Sequence, residues 1–135
     1  MSSQQKILSN DCYQKAFNDS NTALTIATLC LNKTDVYIVD VTKFKRACDE
    51  LAKVLIKHNK KERLLDFYFW VRAKLAKLFS KETTRLGVRM NCHVIANDID
   101  EIIKDLCREL NGEMVTPLLL NFTYRSSGQQ TRHQD

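Results

Sequence analysis

Residues 63–79, RLLDFYFWVRAKLAKLF, restrict the fold more than any other stretch of the chain. Four aromatic residues follow one another from Phe67 to Trp70 before the lysines begin, and that much apolar surface needs a core to receive it. At about 100° per residue, Leu64, Phe67, Tyr68, Val71, Leu75, Leu78 and Phe79 fall on one broad face, widened by Leu65, Phe69 and Ala76. The spacing predicts a core helix over residues 62–81. Trp70 is the exception: it falls on the opposite side, between Asp66, Lys74, Lys77 and Lys81. Lys74 and Lys77, four and seven residues on, share its stripe.

The preceding segment repeats the pattern more weakly. Phe44, Ala47, Leu51, Val54 and Leu55 return at helical spacing from Lys43 to about Asn59, with Thr42 read as the N-cap. Lys43, Arg46, Lys53 and Lys57 share the opposite face, where Asp49 and Glu50 are placed to pair with Lys53, Arg46 or Lys57. If the two helices form a hairpin across residues 58–63, their basic stripes are expected to join, with Lys60, Lys61 and Arg63 adding charge at the tip.

Elsewhere the pattern is mixed. Ser9 reads as the cap of a short helix over residues 10–18. TALTIATLCLN (residues 22–32) is ambiguous, because its threonines and Ile26 favour a strand and its alanines and leucines a helix. DVYIVDV (residues 35–41) reads as extended. In GVRMNCHVI (residues 87–95), Val88, Met90, Cys92 and Val94 alternate with Arg89, Asn91 and His93, the pattern of a half-buried strand. Asp98-x-x-Glu101 resembles a capping box ahead of a stripe of Ile99, Ile102, Ile103, Leu106 and Leu110, which Asn111-Gly112 ends. Pro117 opens a last alternating run through Leu118, Leu120, Phe122 and Tyr124. The fold class expected is α+β and helix-rich, three to four helices with a small sheet of short strands. The alternative is an all-α helical bundle in which residues 87–95 are helical.

Only three Gly and one Pro occur, which disfavours a turn-rich β sandwich. The 135 residues are expected to form one globular domain over residues 1–125, followed by a polar disordered tail over 126–135. The polar N-terminus has no apolar signal-peptide core, and no apolar run reaches the roughly 18 residues that span a bilayer. The five cysteines (Cys12, Cys30, Cys48, Cys92 and Cys107) are therefore expected to be reduced thiols in an intracellular protein, cytoplasmic or nuclear. Cys12, Cys30, Cys48 and Cys107 read as small hydrophobes.

Motifs for chemistry are absent from the sequence. There is no Gly-rich phosphate loop, no H-E-x-x-H and no Gly-x-Ser-x-Gly elbow. Cys92 and His93 are adjacent rather than spaced as zinc ligands, His58 reads as a helix-end cation, and Asp98, Asp100 and Glu101 read as helix-start acids. No catalytic residue, metal or cofactor is expected, and the chain is not expected to be an enzyme.

Charge is what remains. The net charge is +5, and residues 43–89 alone carry +9. A basic segment of this kind suits an acidic partner. The expected function is a non-enzymatic protein–protein interaction or self-associating adaptor domain. Its partner-binding surface comprises Trp70, Lys74, Lys77, Lys81, Arg46, Lys53, Lys57, Lys60, Lys61 and Arg63, and its partner is another protein or a second copy, with a homodimer expected. The alternative is RNA or DNA binding, in which those lysines contact phosphates and the indole stacks on a base. A structural role for Trp70 competes with both: the 23–31 stretch or the C-terminal run covers the ring.

Overall fold

The computed structural model describes the backbone of residues 3–111 and the side chains of residues 10–110. Four helices account for nearly all of it: α1 (Ser3–Leu31), α2 (Ile38–Lys57), α3 (Lys61–Ser80) and α4 (Leu86–Asn111). No strand occurs among the described residues. Among the described residues the architecture is all-α, and no part of the small sheet expected beside the helices is formed there. The run at residues 117–124, the Gly112 stop and the polar tail lie outside the described residues.

Each local departure has a physical cause. The threonines of α1 tolerate a helix because Thr22, Thr25 and Thr28 donate their hydroxyls to the carbonyls of Asn18, Asn21 and Leu24, at 2.9, 2.8 and 2.7 Å. Ser9 therefore sits inside a 29-residue helix rather than capping a short one. Of residues 35–41, expected to be extended, 38–41 are helical and Tyr37 ahead of them keeps an extended backbone: α2 starts five residues earlier than its apolar stripe suggests. Asp40 accepts the Tyr37 backbone N–H at 2.9 Å and pairs with Lys33 Nζ at 3.1 Å, anchoring the first turn. That N–H bond, helped by Lys33, holds the Asp40 carboxyl below the usual carboxylate range. Thr42 is no cap; its hydroxyl donates to the Ile38 carbonyl at 3.1 Å within the helix.

Residues 87–95 belong to α4 because their short alternation is embedded in a longer helical repeat. Val88, Cys92, Ala96, Ile99 and Ile103 are all buried, while Met90 and Val94, which the strand reading turned inward, are exposed. Asp98 and Glu101 lie mid-helix, so no capping box forms there.

Between α2 and α3 the chain reverses through a Schellman motif. Asn59 adopts a left-handed φ of 57°, which asparagine tolerates better than most residues. Its N–H donates to the Ile56 carbonyl at 3.0 Å, and that of Lys60 to the Leu55 carbonyl at 2.8 Å. Four antiparallel helices result, in which α1 packs on α2, α3 packs on α4, and α2 also touches α3 and α4. The core is centred on Phe44, Leu55, Val71, Leu75, Val88 and Ile103.

One polar pair lies within it. Arg72 Nε and Nη2 donate to Asp100 Oδ1 and Oδ2 at 2.7 and 3.3 Å, with both side chains buried. This fork ties α3 to α4, and either partner alone would be an uncompensated buried charge. Urea unfolding of Arg72→Ala or Asp100→Ala is expected to show a loss of about 3–5 kcal/mol. The paired replacement Arg72→Met with Asp100→Leu is expected to recover most of it, because an apolar pair avoids the desolvation penalty.

Candidate interaction groove

The helix pairing leaves a seam unfilled between α1 and α3. Along α1, Phe17, Asn21, Leu24, Thr25, Thr28 and Leu29 recur at helical spacing, and along α3 so do Arg63, Asp66, Phe67 and Trp70. These two stripes form the walls of a groove of about 540 Å³ whose floor is Leu51 and Leu55 of α2. Both floor side chains are fully buried from the core side, yet their outer edges line the groove. Asn21, Thr25, Thr28, Arg63 and Asp66 supply its polar groups.

At the end nearest the α2–α3 turn, α1 and α3 are cross-linked. Arg63 Nη1 donates to the Tyr13 hydroxyl at 2.7 Å, and its guanidinium lies 5.4 Å from the Phe17 ring centre. Lys60 Nζ stands 4.8 Å from the Tyr13 ring centre, and the His58 ring packs on Tyr13 with centroids 5.1 Å apart.

Trp70 stands at the groove wall, 37% exposed. Its ring is stacked on Phe67, 18° from parallel with centroids 6.1 Å apart. It leans on Phe44 of α2 at the same separation. Lys74 Nζ lies 5.5 Å from the indole centre, within cation–π range. The indole is thus anchored on one side and open toward the groove. Phe79, expected in the core, is 40% exposed at the end of α3, where its ring meets Arg89 and His93.

The basic residues do not form one surface. On α2, Arg46 and Lys53 border a different concavity with Asp49, Glu50 and Tyr68, away from Trp70 and Phe44. The two basic stripes therefore do not join, because α2 turns its apolar side, not its lysines, toward Trp70. Lys53 pairs with Glu50 at 3.2 Å as expected, but Asp49 pairs with Lys45 at 2.9 Å. Lys61 pairs with Glu109 of α4 at 3.2 Å. Lys81 reaches the Lys33 carbonyl at 3.4 Å, at the opposite end of the bundle from Lys61. Only Arg63, Trp70 and Lys74 of the ten expected contact residues gather at the groove, with Lys77 on the same helical stripe and exposed. Lys57 is exposed on α2. The groove residues of α1 escaped the sequence reading. Their signal was the spacing of Phe17, Leu24 and Leu29 with hydroxyl residues between them.

A second apolar surface lies on α4. Leu86, Met90 and Val94 follow at four-residue spacing, each more than half exposed, and Ile38 of α2 approaches Gly87 beside them.

Among the described residues no cluster of three His, Cys, Asp or Glu side chains could hold a metal ion, and no helix is long and apolar enough to cross a membrane. Comparison with protein-family models, curated proteins and solved structures returns no match. The class is therefore set by architecture alone: among the described residues, four helices with an apolar groove walled by α1 and α3.

The thiols give a direct check on the packing. Burial pushes the Cys48 thiol up to about 12 and that of Cys92 to about 11, and Cys107 is raised by the same cause. Cys12, expected to pack as a small hydrophobe, is exposed, and Cys30 is half-buried. A disulfide reagent at neutral pH is expected to titrate Cys12 and then Cys30 in the folded protein, and the remaining three only in denaturant. Rapid reaction of all five thiols without denaturant would contradict this core.

Proposed function

We propose that this protein is a non-enzymatic protein-interaction module whose contact site is the α1–α3 groove, with Trp70 its anchor. The observation that carries the reading is a partly exposed indole, braced by Phe67 and Phe44, on the wall of an apolar concavity with polar groups among its lining. Interface hot spots have this composition: an aromatic anchor beside a desolvated pocket. Such a groove suits the apolar face of an amphipathic helix.

Charge narrows the occupant. The groove-side stripe of α3 carries Arg63, Lys74 and Lys77 against one acid, Asp66, while the α1 wall is neutral. An acidic amphipathic segment fits this edge better than a basic one. Base stacking has less support. Phe67 and Lys74 already stand against the indole, and the cations that would track phosphates are spread over separate faces.

The test is fluorescence anisotropy with a labelled helical peptide carrying leucines at i, i+3, i+4 and i+7 and glutamates on its other face. The glutamate peptide is expected to bind, its lysine counterpart to bind much less, and Trp70→Ala to weaken binding by about thirtyfold or more. If the peptide fails to bind while mixed-length RNA does, with affinity falling about 10³-fold or more between 50 and 200 mM salt, the nucleic-acid reading replaces this one.

Self-association draws on a different surface, the exposed Leu86–Met90–Val94 stripe of α4. Sedimentation is expected to show a dimer that Met90→Glu disperses and Trp70→Ala leaves intact. Loss of the dimer in Trp70→Ala alone would move the self-contact to the groove.

A further inference from the structure

Four apolar side chains gather where α4 begins. Ile38 of α2 and Leu86, Met90 and Val94 of α4 are each more than half exposed, and Ile38 approaches Gly87 in their midst. Apolar residues exposed singly need no partner, whereas a contiguous patch marks a contact. Gly87 is exposed and has no side chain, so another backbone can come close there.

The charges beside this patch are ordered along α4. Asp98 lies about three turns beyond Gly87 on the same flank; it is exposed and forms no ion pair among the described residues. At the other end stands Arg85, about half exposed. It leans toward the α2 side, donating to Asp35 at 2.9 Å with its guanidinium 4.6 Å from the Tyr37 ring centre. The first turn of α4 carries no acid, so the positive end of its dipole is uncompensated. On the opposite flank, Arg89 and His93 are folded onto Phe79.

We infer that this face joins two copies of the chain, paired antiparallel through α4 about a two-fold axis, with Met90 of each copy against Val94 of the other. The assignment rests on reading the α4 stripe as the self-contact, and adds its direction and register. From Val94 on to Asp98, and from Met90 back to Leu86, is four residues, about 6 Å. Asp98 of one copy therefore arrives level with the first turn of α4 in the other, beside Arg85. The two-fold axis makes this contact twice. A parallel pair would set Asp98 on Asp98 and Arg85 on Arg85, with like charges opposed. An antiparallel pair with Met90 on Met90 would bring Asp98 level with the exposed Glu82. The groove between α1 and α3 takes no residue from α4, so the pair presents two grooves.

Sedimentation equilibrium tests the pairing by charge exchange. The full chain is expected to be a dimer. Asp98→Arg and Arg85→Glu are each expected to weaken it about tenfold or more, because each sets like charges together at both ends. An equimolar mixture of the two variants is expected to regain the full-chain affinity, since both contacts of the mixed dimer again join opposite charges. Arg85→Glu also loses the Asp35 bond, so the mixture decides rather than that variant alone. A second readout is independent of charge. With Cys12 and Cys30 replaced by Ser, a mixture of Met90→Cys and Val94→Cys chains is expected to form an inter-chain disulfide faster than either chain alone.

A mixture that stays as dissociated as its components overturns the pairing. So does a dimer that Met90→Glu disperses but both charge variants leave unchanged, and that result keeps the self-association reading. A chain that is monomeric at every concentration removes both. Preferential cross-linking of Met90→Cys chains to one another overturns the register.

Discussion

Helix α2 packs against all three other helices, and the rest of the structure depends on how its single apolar face is divided. Phe44, Cys48, Leu51, Ala52 and Leu55 are all buried, yet Leu51 and Leu55 serve two neighbours. On one side they complete the core; on the other they are the floor between α1 and α3. A 20-residue helix presents an apolar arc of only a little over 100°, too narrow to hold α1 and α3 both on itself and flush with each other. The two outer helices are therefore joined at one end, by Tyr13, Arg63 and Lys60, and part along the seam. The groove follows from the way the helices pair.

The partition of charge follows from the same constraint. Because α2 spends its apolar face on packing, its cations Arg46, Lys53 and Lys57 point away from the groove, and several basic residues are taken up by structural pairs. The net charge is thus a poor guide to where a partner binds. What distinguishes the groove is an aromatic anchor over an apolar floor with a few cations at one edge, which favours burial of an apolar segment over tracking of a polyanion.

The parts legible in the sequence are those where one period runs long enough to dominate. The extent of α3 reads correctly, and its buried face does so up to the last turn, where Phe79 is exposed, because its apolar residues repeat for five turns; the body of α2 reads for the same reason. The beginning of α4 does not, because Val88, Met90, Cys92 and Val94 fit a two-residue period and Val88, Cys92, Ala96 and Ile99 a helical one. Nine residues are too few to separate these periods. α1 conceals itself behind β-favouring threonines whose hydroxyls are satisfied within the helix. The Arg72–Asp100 fork was not legible, because it depends on which helices pair. The exposed face of Trp70 was readable from the wheel; the groove beside it was not, because its other wall lies some fifty residues away on α1.

The central claim is that the bundle leaves Trp70 at an open seam rather than inside a closed core, and nuclear Overhauser contacts from its indole protons test this most directly. Cross-peaks to Phe44 and Phe67, with none to Leu24 or Thr28 across the groove, are the result the account predicts. Strong cross-peaks from the indole to Leu24 and Thr28 would show α1 and α3 closed on each other, and would contradict it.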